Sequence, residues 1–204
     1  ISALTSGIGN VAVGYQSLDA AATSDYNTAV GHQSLSGVNG DGTAGNVGVG
    51  YQAGLAITSG LYNTAIGTYA LLTDDTGDRS TAVGYSCMEK QNVGDENTGN
   101  TAVGFYAGYN NVTGTHNTYL GTQAGAGASG QSNSNNTAVG KDALLAITTG
   151  SGNCVIGQGA ADALTTGADN VAIGRIALGA SVAGMNDNIA IGANSMGNAN
   201  NSSS

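Results

Sequence analysis

The sequence predicts an all-β fold, a parallel β-solenoid (β-roll) of about eleven coils with 17 to 20 residues each. The first observation is a repeated unit, whose clearest copy is Asn27-Thr28-Ala29-Val30-Gly31-His32-Gln33-Ser34-Leu35. Its glycine, here called the anchor glycine, recurs every 17, 19, 17, 17, 20, 17, 19, 17, 17 and 18 residues. A short, regular period is typical of a solenoid. The anchor glycines are Gly14, Gly31, Gly50, Gly67, Gly84, Gly104, Gly121, Gly140, Gly157, Gly174 and Gly192.

The second observation is the composition, which disfavours both helices and an ordinary globule. The 204 residues include 35 glycines, and each would destabilise a helix by roughly 1 kcal/mol relative to alanine. Charged residues make up only 8% of the chain, against about 25% in a typical domain. Disorder is also disfavoured, because aliphatic residues recur at fixed positions. We therefore predict one solenoid domain over 1–197 and a polar flexible tail over 198–204. Residues 1–9 match the second half of a repeat, so we expect a longer parent chain.

Charge and hydropathy exclude several partners. Thirteen acidic residues against four lysines and arginines give a net charge of −9. Nucleic acid binding needs clustered cations, so we expect no nucleic acid partner. No run of 18 apolar residues occurs, so we expect no insertion into a membrane.

Each coil is predicted to begin with a strand, because apolar residues alternate before the anchor glycine. A branched aliphatic residue always precedes that glycine, as Val30 and Ile66 do, and a small residue such as Ala29 usually comes before it. We expect the aliphatic column to stack in the core. The column of small residues would then form a close-approach surface for neighbouring chains.

The remainder of the coil is predicted to hold a turn at the anchor glycine and a second short strand. Three residues after the glycine lies a small side chain, Cys87 in one coil, and a leucine or methionine such as Leu35 commonly follows. The asparagine that opens most units, as Asn27 does, is predicted to stack as a ladder that satisfies backbone groups at a corner. The longer repeats place insertions at 36–45, 89–99 and 126–135, where we expect surface loops.

The two cysteines are predicted to be free thiols. Cys87 and Cys154 lie four repeats apart, on the order of 19 Å at about 4.8 Å per coil, which is too far for a disulfide. Neither has an accompanying base, so neither is expected to be a catalytic nucleophile.

Oligomerisation follows from the thin core. A single coil buries only a few small and medium side chains against the ordering entropy of 17 or more residues. Cyclic symmetry lets one repeated face be buried several times, so we predict a homotrimer packed around a common axis. A single-chain solenoid is the alternative.

A resemblance supports this prediction. Asn27-Thr28-Ala29-Val30-Gly31, Asn63-Thr64-Ala65-Ile66-Gly67 and Asn170-Val171-Ala172-Ile173-Gly174 resemble the units of trimeric autotransporter adhesin heads. With the following Tyr-Gln-Ala/Ser-Leu and a Thr-Thr-Gly connector, the repeat looks still more like those of phage tail fibres. The resemblance implies a trimeric β-roll on a virion tail fibre, or on an extracellular or cell surface. Such fibre repeats are often followed by a chaperone domain that trimerises the fibre.

The candidate binding site is the column of residues that follow the anchor glycines. Its aromatic members would form a stripe suited to a host-surface glycan or protein if they face outward; otherwise they only stabilise the stack. These candidate binding residues are Tyr15, His32, Tyr51, Tyr85 and Phe105.

Other patterns support weaker hypotheses. A threonine column, interrupted by Val11, Val47, Cys154, Val171 and Ile189, resembles the arrays of ice-binding solenoids. It consists of Thr28, Thr64, Thr81, Thr101, Thr118 and Thr137. The acidic cluster of Asp74, Asp75 and Asp78 lacks the ligand spacing of a calcium loop and is expected to be a solvated loop.

No catalytic constellation stands out, so we expect no enzyme, no metal site and no cofactor. The function predicted from the sequence is a structural shaft segment of a phage tail fibre or receptor-binding appendage that mediates host attachment. A bacterial trimeric surface adhesin is the first alternative, and an ice-binding solenoid is the second.

Overall fold

The computed structural model describes residues 5–94, 97–130, 132–179 and 184–197, and these residues form one parallel β-solenoid. No helix occurs among them, and so none that could cross a membrane. The all-β prediction and the parallel solenoid architecture are confirmed. The predicted tail at 198–204 lies outside the described residues.

The main element is an eleven-stranded parallel sheet to which every coil contributes one three-residue strand. Neighbouring strands pair in register, so that Thr64, Ala65 and Ile66 lie beside Thr81, Ala82 and Val83. The strands are β1 Val11–Val13, β3 Thr28–Val30, β5 Val47–Val49, β6 Thr64–Ile66, β7 Thr81–Val83, β8 Thr101–Val103, β9 Thr118–Leu120, β10 Thr137–Val139, β11 Cys154–Ile156, β12 Val171–Ile173 and β13 Ile189–Ile191. Ten steps of about 4.8 Å give a rod on the order of 50 Å long.

A second, small sheet joins the first insertion (36–45) to the coil before it. It pairs β2 (Ser24–Asp25) with β4 (Gly42–Thr43), also in parallel. The insertions are not purely surface loops, because Val38 and Gln91 within them are fully buried.

The prediction of a second strand in every coil is wrong. Residues after the anchor glycine form a turn whose backbone N–H groups donate to the next coil, as Leu18 N does to Ser34 O at 3.0 Å. The second and fourth residues of this turn take positive φ, for example 56° at Gln33 and 48° at Leu35. Because a β-strand needs negative φ, the chain cannot be extended there.

The predicted orientation of the strands is also wrong. The small middle residue faces the interior, and Ala29, Ala65 and Ala82 are fully buried. The aliphatic residue before the glycine faces outward instead: Ile66 is 38% exposed and Leu120 is 47% exposed. In most coils the interior has room only for a small side chain at the middle position, and at Gly48 even a Cβ would lie 2.7 Å from Leu35 Cγ. The exceptions are Val155 and Tyr119, which are also buried.

The core is instead supplied by the turns and connectors. Leu35, Leu71 and Leu144 from the turns are fully buried, and so are Ile57 and Ile147 from the connectors. These side chains pack across the narrow interior against the alanines of the sheet.

The anchor glycines lie where the coils approach each other most closely. Gly84 has φ 139°, and a Cβ there would lie 2.3 Å from the carbonyl oxygen of Gly104 in the next coil. The turn predicted at these glycines is confirmed, since no side chain fits between stacked turns.

The asparagine ladder is confirmed. Asn46 N donates to Asn27 Oδ1 at 3.0 Å, and Asn46 Nδ2 donates to Gly60 O at 2.7 Å. Asn63 N then donates to Asn46 Oδ1 at 2.8 Å, so the same pattern continues from coil to coil. Each buried amide satisfies backbone groups that the corner would otherwise leave without partners.

One coil carries Ser80 in place of the ladder asparagine, and Gln91 compensates for it. Gln91 Nε2 donates to Ser80 Oγ and to Asp74 Oδ2, both at 2.8 Å, and Asn100 Nδ2 donates to Gln91 Oε1 at 2.9 Å. Asp74 is fully buried, and desolvation raises its pKa above the usual value. The prediction of a solvated acidic loop is therefore wrong for this residue.

Candidate functional site

The sheet has one outward surface, here called the sheet face, which consists of two parallel columns. The aliphatic column is the last residue of each of the eleven main strands, and the threonine column is the first. No member of either column is buried in the single chain. Ile156 in the aliphatic column is 40% exposed, and Leu120 is 47% exposed.

The sheet face is uncharged and mostly apolar along its full length. Its residues are valine, isoleucine, leucine, threonine and one cysteine, Cys154. Cys154 is a free thiol, and so is the fully buried Cys87, which confirms the prediction for both cysteines. Soluble monomers rarely expose a continuous apolar surface of this length, so the sheet face is a candidate interaction surface.

The aromatic residues of the candidate binding column face outward. The interpretation of this column as a binding stripe required that orientation. Tyr15 is 69% exposed, Tyr51 and Tyr85 are each 42% exposed, and Phe105 is 47% exposed. His32 is exposed as well, with its ring 5.3 Å from the rings of Tyr15 and Tyr51. These five residues therefore lie on one surface, immediately after the strands.

The structure adds three tyrosines that the sequence pattern missed. Tyr69 fills the gap left by Thr68, with its ring 5.4 Å from Tyr51 and 6.1 Å from Tyr85. Tyr106 lies 4.3 Å from Phe105, and Tyr109 lies 4.7 Å from Tyr106. We call the eight residues the aromatic ladder: Tyr15, His32, Tyr51, Tyr69, Tyr85, Phe105, Tyr106 and Tyr109. A signal for Tyr69 was present, because this tyrosine directly follows the one threonine that interrupts the aromatic half of the column.

Amide side chains accompany the first rings of the ladder. Gln33 Nε2 donates to Gln16 Oε1 at 2.9 Å, and Gln52 Nε2 donates to Gln33 Oε1 at 2.7 Å. We call Gln16, Gln33 and Gln52 the glutamine ladder. Desolvation, reinforced by the neighbouring phenols, raises the pKa of Tyr69 and of Tyr106. The ladder therefore combines exposed aromatic rings with hydrogen-bonding amides, which suits contacts with sugars or with polar protein surfaces.

The described residues contain no group of three or more histidine, cysteine, aspartate or glutamate side chains placed to hold a metal ion. His32 and the second histidine, His116, lie in different columns. His32 is part of the aromatic ladder, whereas His116 packs against Gly99.

Comparisons with known proteins add nothing to this description, since no family model, no curated protein and no solved structure matches the chain.

Proposed function

We propose that this chain is a structural shaft segment of a homotrimeric fibre, of the kind found in phage tail fibres and other receptor-binding appendages. Three copies would lie parallel with their sheet faces turned toward a common axis. The observation that carries the proposal is the aliphatic column, which continues through eleven coils without a charged residue.

The energetics favour covering this column. Burying a whole valine or isoleucine side chain contributes about 1.5–3 kcal/mol, so covering the exposed part of Ile66 or Ile156 contributes on the order of 1 kcal/mol. Eleven coils give about 10 kcal/mol per chain, and three chains give about 30 kcal/mol. Association of three chains requires two steps that cost about 4–15 kcal/mol each, or about 8–30 kcal/mol together, and burial of the three aliphatic columns equals or exceeds this cost.

The geometry suits threefold packing. The eleven strands of the main sheet are all three residues long and pair in register, so the sheet face has a constant width. Three identical strips can close around an axis, which cyclic symmetry requires, and each coil then meets its own copies at the same height. The trimer contact is therefore proposed at the aliphatic column and not at the alanines, which the interior already covers.

The shaft would carry attachment surfaces on its outer side. The aromatic ladder is proposed to contact a host-surface glycan or protein, with its rings supplying apolar area and the glutamine ladder supplying hydrogen bonds. The location that fits is a virion tail fibre or an extracellular surface. A bacterial trimeric adhesin would use the same construction and remains the alternative within this class.

Ice binding is a second candidate, because the threonine and aliphatic columns share one outward face. In that case the sheet face would meet ice and not other chains, and the protein would be a monomer. Thermal hysteresis from a stable monomer would favour this candidate over the fibre segment.

The test of the fibre proposal places a charge on the sheet face. In a trimer, Ile66→Asp would bring three carboxylates together near the axis, and burying unpaired charges costs about 3–5 kcal/mol or more each. We expect loss of the trimer and a large drop in melting temperature. Thr122→Asp, which adds the same charge at an exposed turn residue, is the matched control and should change neither. Equal, small effects of both substitutions would overturn the proposal.

A further inference from the structure

A slot lies in the turn surface between three consecutive coils. Five residues after the anchor glycine, these coils carry Tyr109, Ala126 and Leu145 in turn. Tyr109, Ala126 and Leu145 all line a pocket of about 270 Å³. Ala126 is only 6% exposed and forms the floor of the slot.

The slot arises because one coil lacks a large side chain. The same position carries Leu55, Leu72 and Leu145 in other coils, but Ala126 here, and the next residue is Gly127. Coils stack about 4.8 Å apart, so the walls on either side of the missing side chain lie on the order of 10 Å apart. A flat ring inserted midway would lie about 5 Å from each wall, within the range of ring stacking.

The walls are held in place. Tyr109 packs edge-on against Tyr106, with ring centroids 4.7 Å apart, and its hydroxyl donates to Glu89 Oε1 at 3.5 Å. Lys90 Nζ lies 5.7 Å from the centre of the Tyr109 ring and 2.9 Å from Glu89 Oε1. The two opposite charges compensate each other, so the wall is apolar with a hydrogen-bonded rim.

Polar groups line the same slot. Gln123 stands two residues after its anchor glycine, the position that the glutamine ladder occupies in earlier coils. In the adjacent coils this position holds Tyr106 and Asp142. Among the described residues the side-chain amide of Gln123 makes no hydrogen bond. Asn110 Nδ2 donates to Gly127 O at 2.9 Å, which fixes the side chain and leaves its amide oxygen free to accept. An unpaired amide beside an apolar ring is suited to a ligand with one apolar face and several hydroxyls.

We propose that this slot binds one pyranose ring of a neutral glycan, with the sugar's C–H face on Tyr109 and its hydroxyls on Gln123 and Asn110. A neutral sugar is favoured because the chain carries a net charge of −9 and both lysines, Lys90 and Lys141, are already paired with carboxylates. The inference rests on the proposed attachment role, but the site is separate from the trimer contact. No residue that lines the pocket belongs to a strand, so a covered sheet face leaves the slot open.

The test uses saturation-transfer NMR on the intact chain with glucose, galactose, mannose and N-acetylglucosamine, and with N-acetylneuraminic acid as the anionic comparison. We expect transfer to at least one neutral sugar and at least tenfold weaker transfer to the anionic one. Ala126→Leu restores the leucine that other coils carry, so it should fill the slot and abolish transfer without lowering the melting temperature. Tyr62→Ala, at a tyrosine that is 49% exposed and does not line the slot, is the control and should bind normally.

Three results would overturn the inference: no transfer to any of the four neutral sugars, a preference for the anionic sugar, or unchanged transfer in Ala126→Leu. If that variant fails to fold, Gln123→Ala replaces it, because Gln123 lies in the turn with its amide unpaired, and undiminished binding then counts against the slot. Sedimentation of the same samples separates the two proposals. A trimer without sugar binding contradicts only the slot, and a sugar-binding monomer contradicts only the fibre.

Discussion

Tyr119 occupies a position that is small in most coils, and its neighbours make room for it. Its ring is fully enclosed, at 1% exposure, between the turns that carry Gly108 and Gly125. Other coils have a leucine at the position of these glycines, as Leu144 is in the next coil. A Cβ on Gly125 would lie 2.2 Å from Tyr119 Cε1, and one on Gly108 would lie 2.9 Å from Cδ2. The ring therefore fills the space of two absent leucines.

This arrangement predicts strong coupling between the two sites. Tyr119→Ala alone should lower the free energy of unfolding by about 3–5 kcal/mol, because it leaves a cavity between two glycines. Gly125→Leu alone should lower it by about 1–3 kcal/mol or more through overpacking, although it restores the residue common in other coils. The double substitution exchanges the ring for a leucine and should recover about 3 kcal/mol of the summed loss.

The assay is thermal or urea unfolding followed by circular dichroism, at one fixed protein concentration for all four proteins. For a chain of this size each kcal/mol corresponds to about 2–4 °C in melting temperature. Positive φ does not obscure the comparison, because φ is 58° at Gly125 and 57° at Leu144. Additive effects of the two substitutions, or stabilisation by Gly125→Leu alone, would refute the packing argument.

Two further predictions concern the interior and the stacked turns. Burial raises the pKa of Asp74 above its unfolded value, so stability should be greatest in acid and fall as pH rises through the unfolded pKa toward the folded one. Asp74→Asn should remove that pH dependence and melt higher at pH 7, and a wild-type melting temperature that rises across this range would contradict it. Gly84→Ala should cost about 3 kcal/mol or more, since its Cβ would meet Gly104 O at 2.3 Å at a φ unfavourable for alanine. Gly192→Ala, with φ 116° but no atom within 4 Å of its Cβ, should cost clearly less in the same melting experiment, and equal losses would refute the stacking argument.

Features that recur at the same position in every coil could be predicted from the sequence alone. The anchor glycines and the asparagine ladder repeat with the coil, and each has a local physical reason that a single residue type satisfies. Asn46 and Gly84 are examples, since only a short amide reaches both backbone groups and only glycine lets stacked turns approach so closely.

The direction of the strands could not be read from the same pattern. Alternation shows that Ala65 and Ile66 lie on opposite faces, but not which face is inside. Larger apolar side chains are usually buried, and that rule gave the wrong answer here. The turn leucines occupy the interior, so in most coils only a small middle residue fits opposite them, and the aliphatic residue that follows faces outward.

The sequence pattern identified only five of the eight residues of the aromatic ladder, because it does not reveal the backbone geometry of the turn. The turn residues after the anchor glycine take positive φ, which neither Gln33 nor Tyr69 signals in the sequence. Tyr69 and Tyr106 lie two residues after an anchor glycine and not one, so the column of residues that directly follow the glycines does not include them. The structure shows that one extra residue along a tight turn still places a ring beside the ladder.

The proposal that the aliphatic column joins three chains is tested most directly by the mass of the unmodified protein in solution. Sedimentation equilibrium over a range of low micromolar concentrations measures that mass without labels or substitutions. The fibre proposal predicts a single species of three times the 19.8 kDa chain mass. A folded β-rich species that sediments as one chain at every concentration would contradict it, and would leave the sheet face exposed to water.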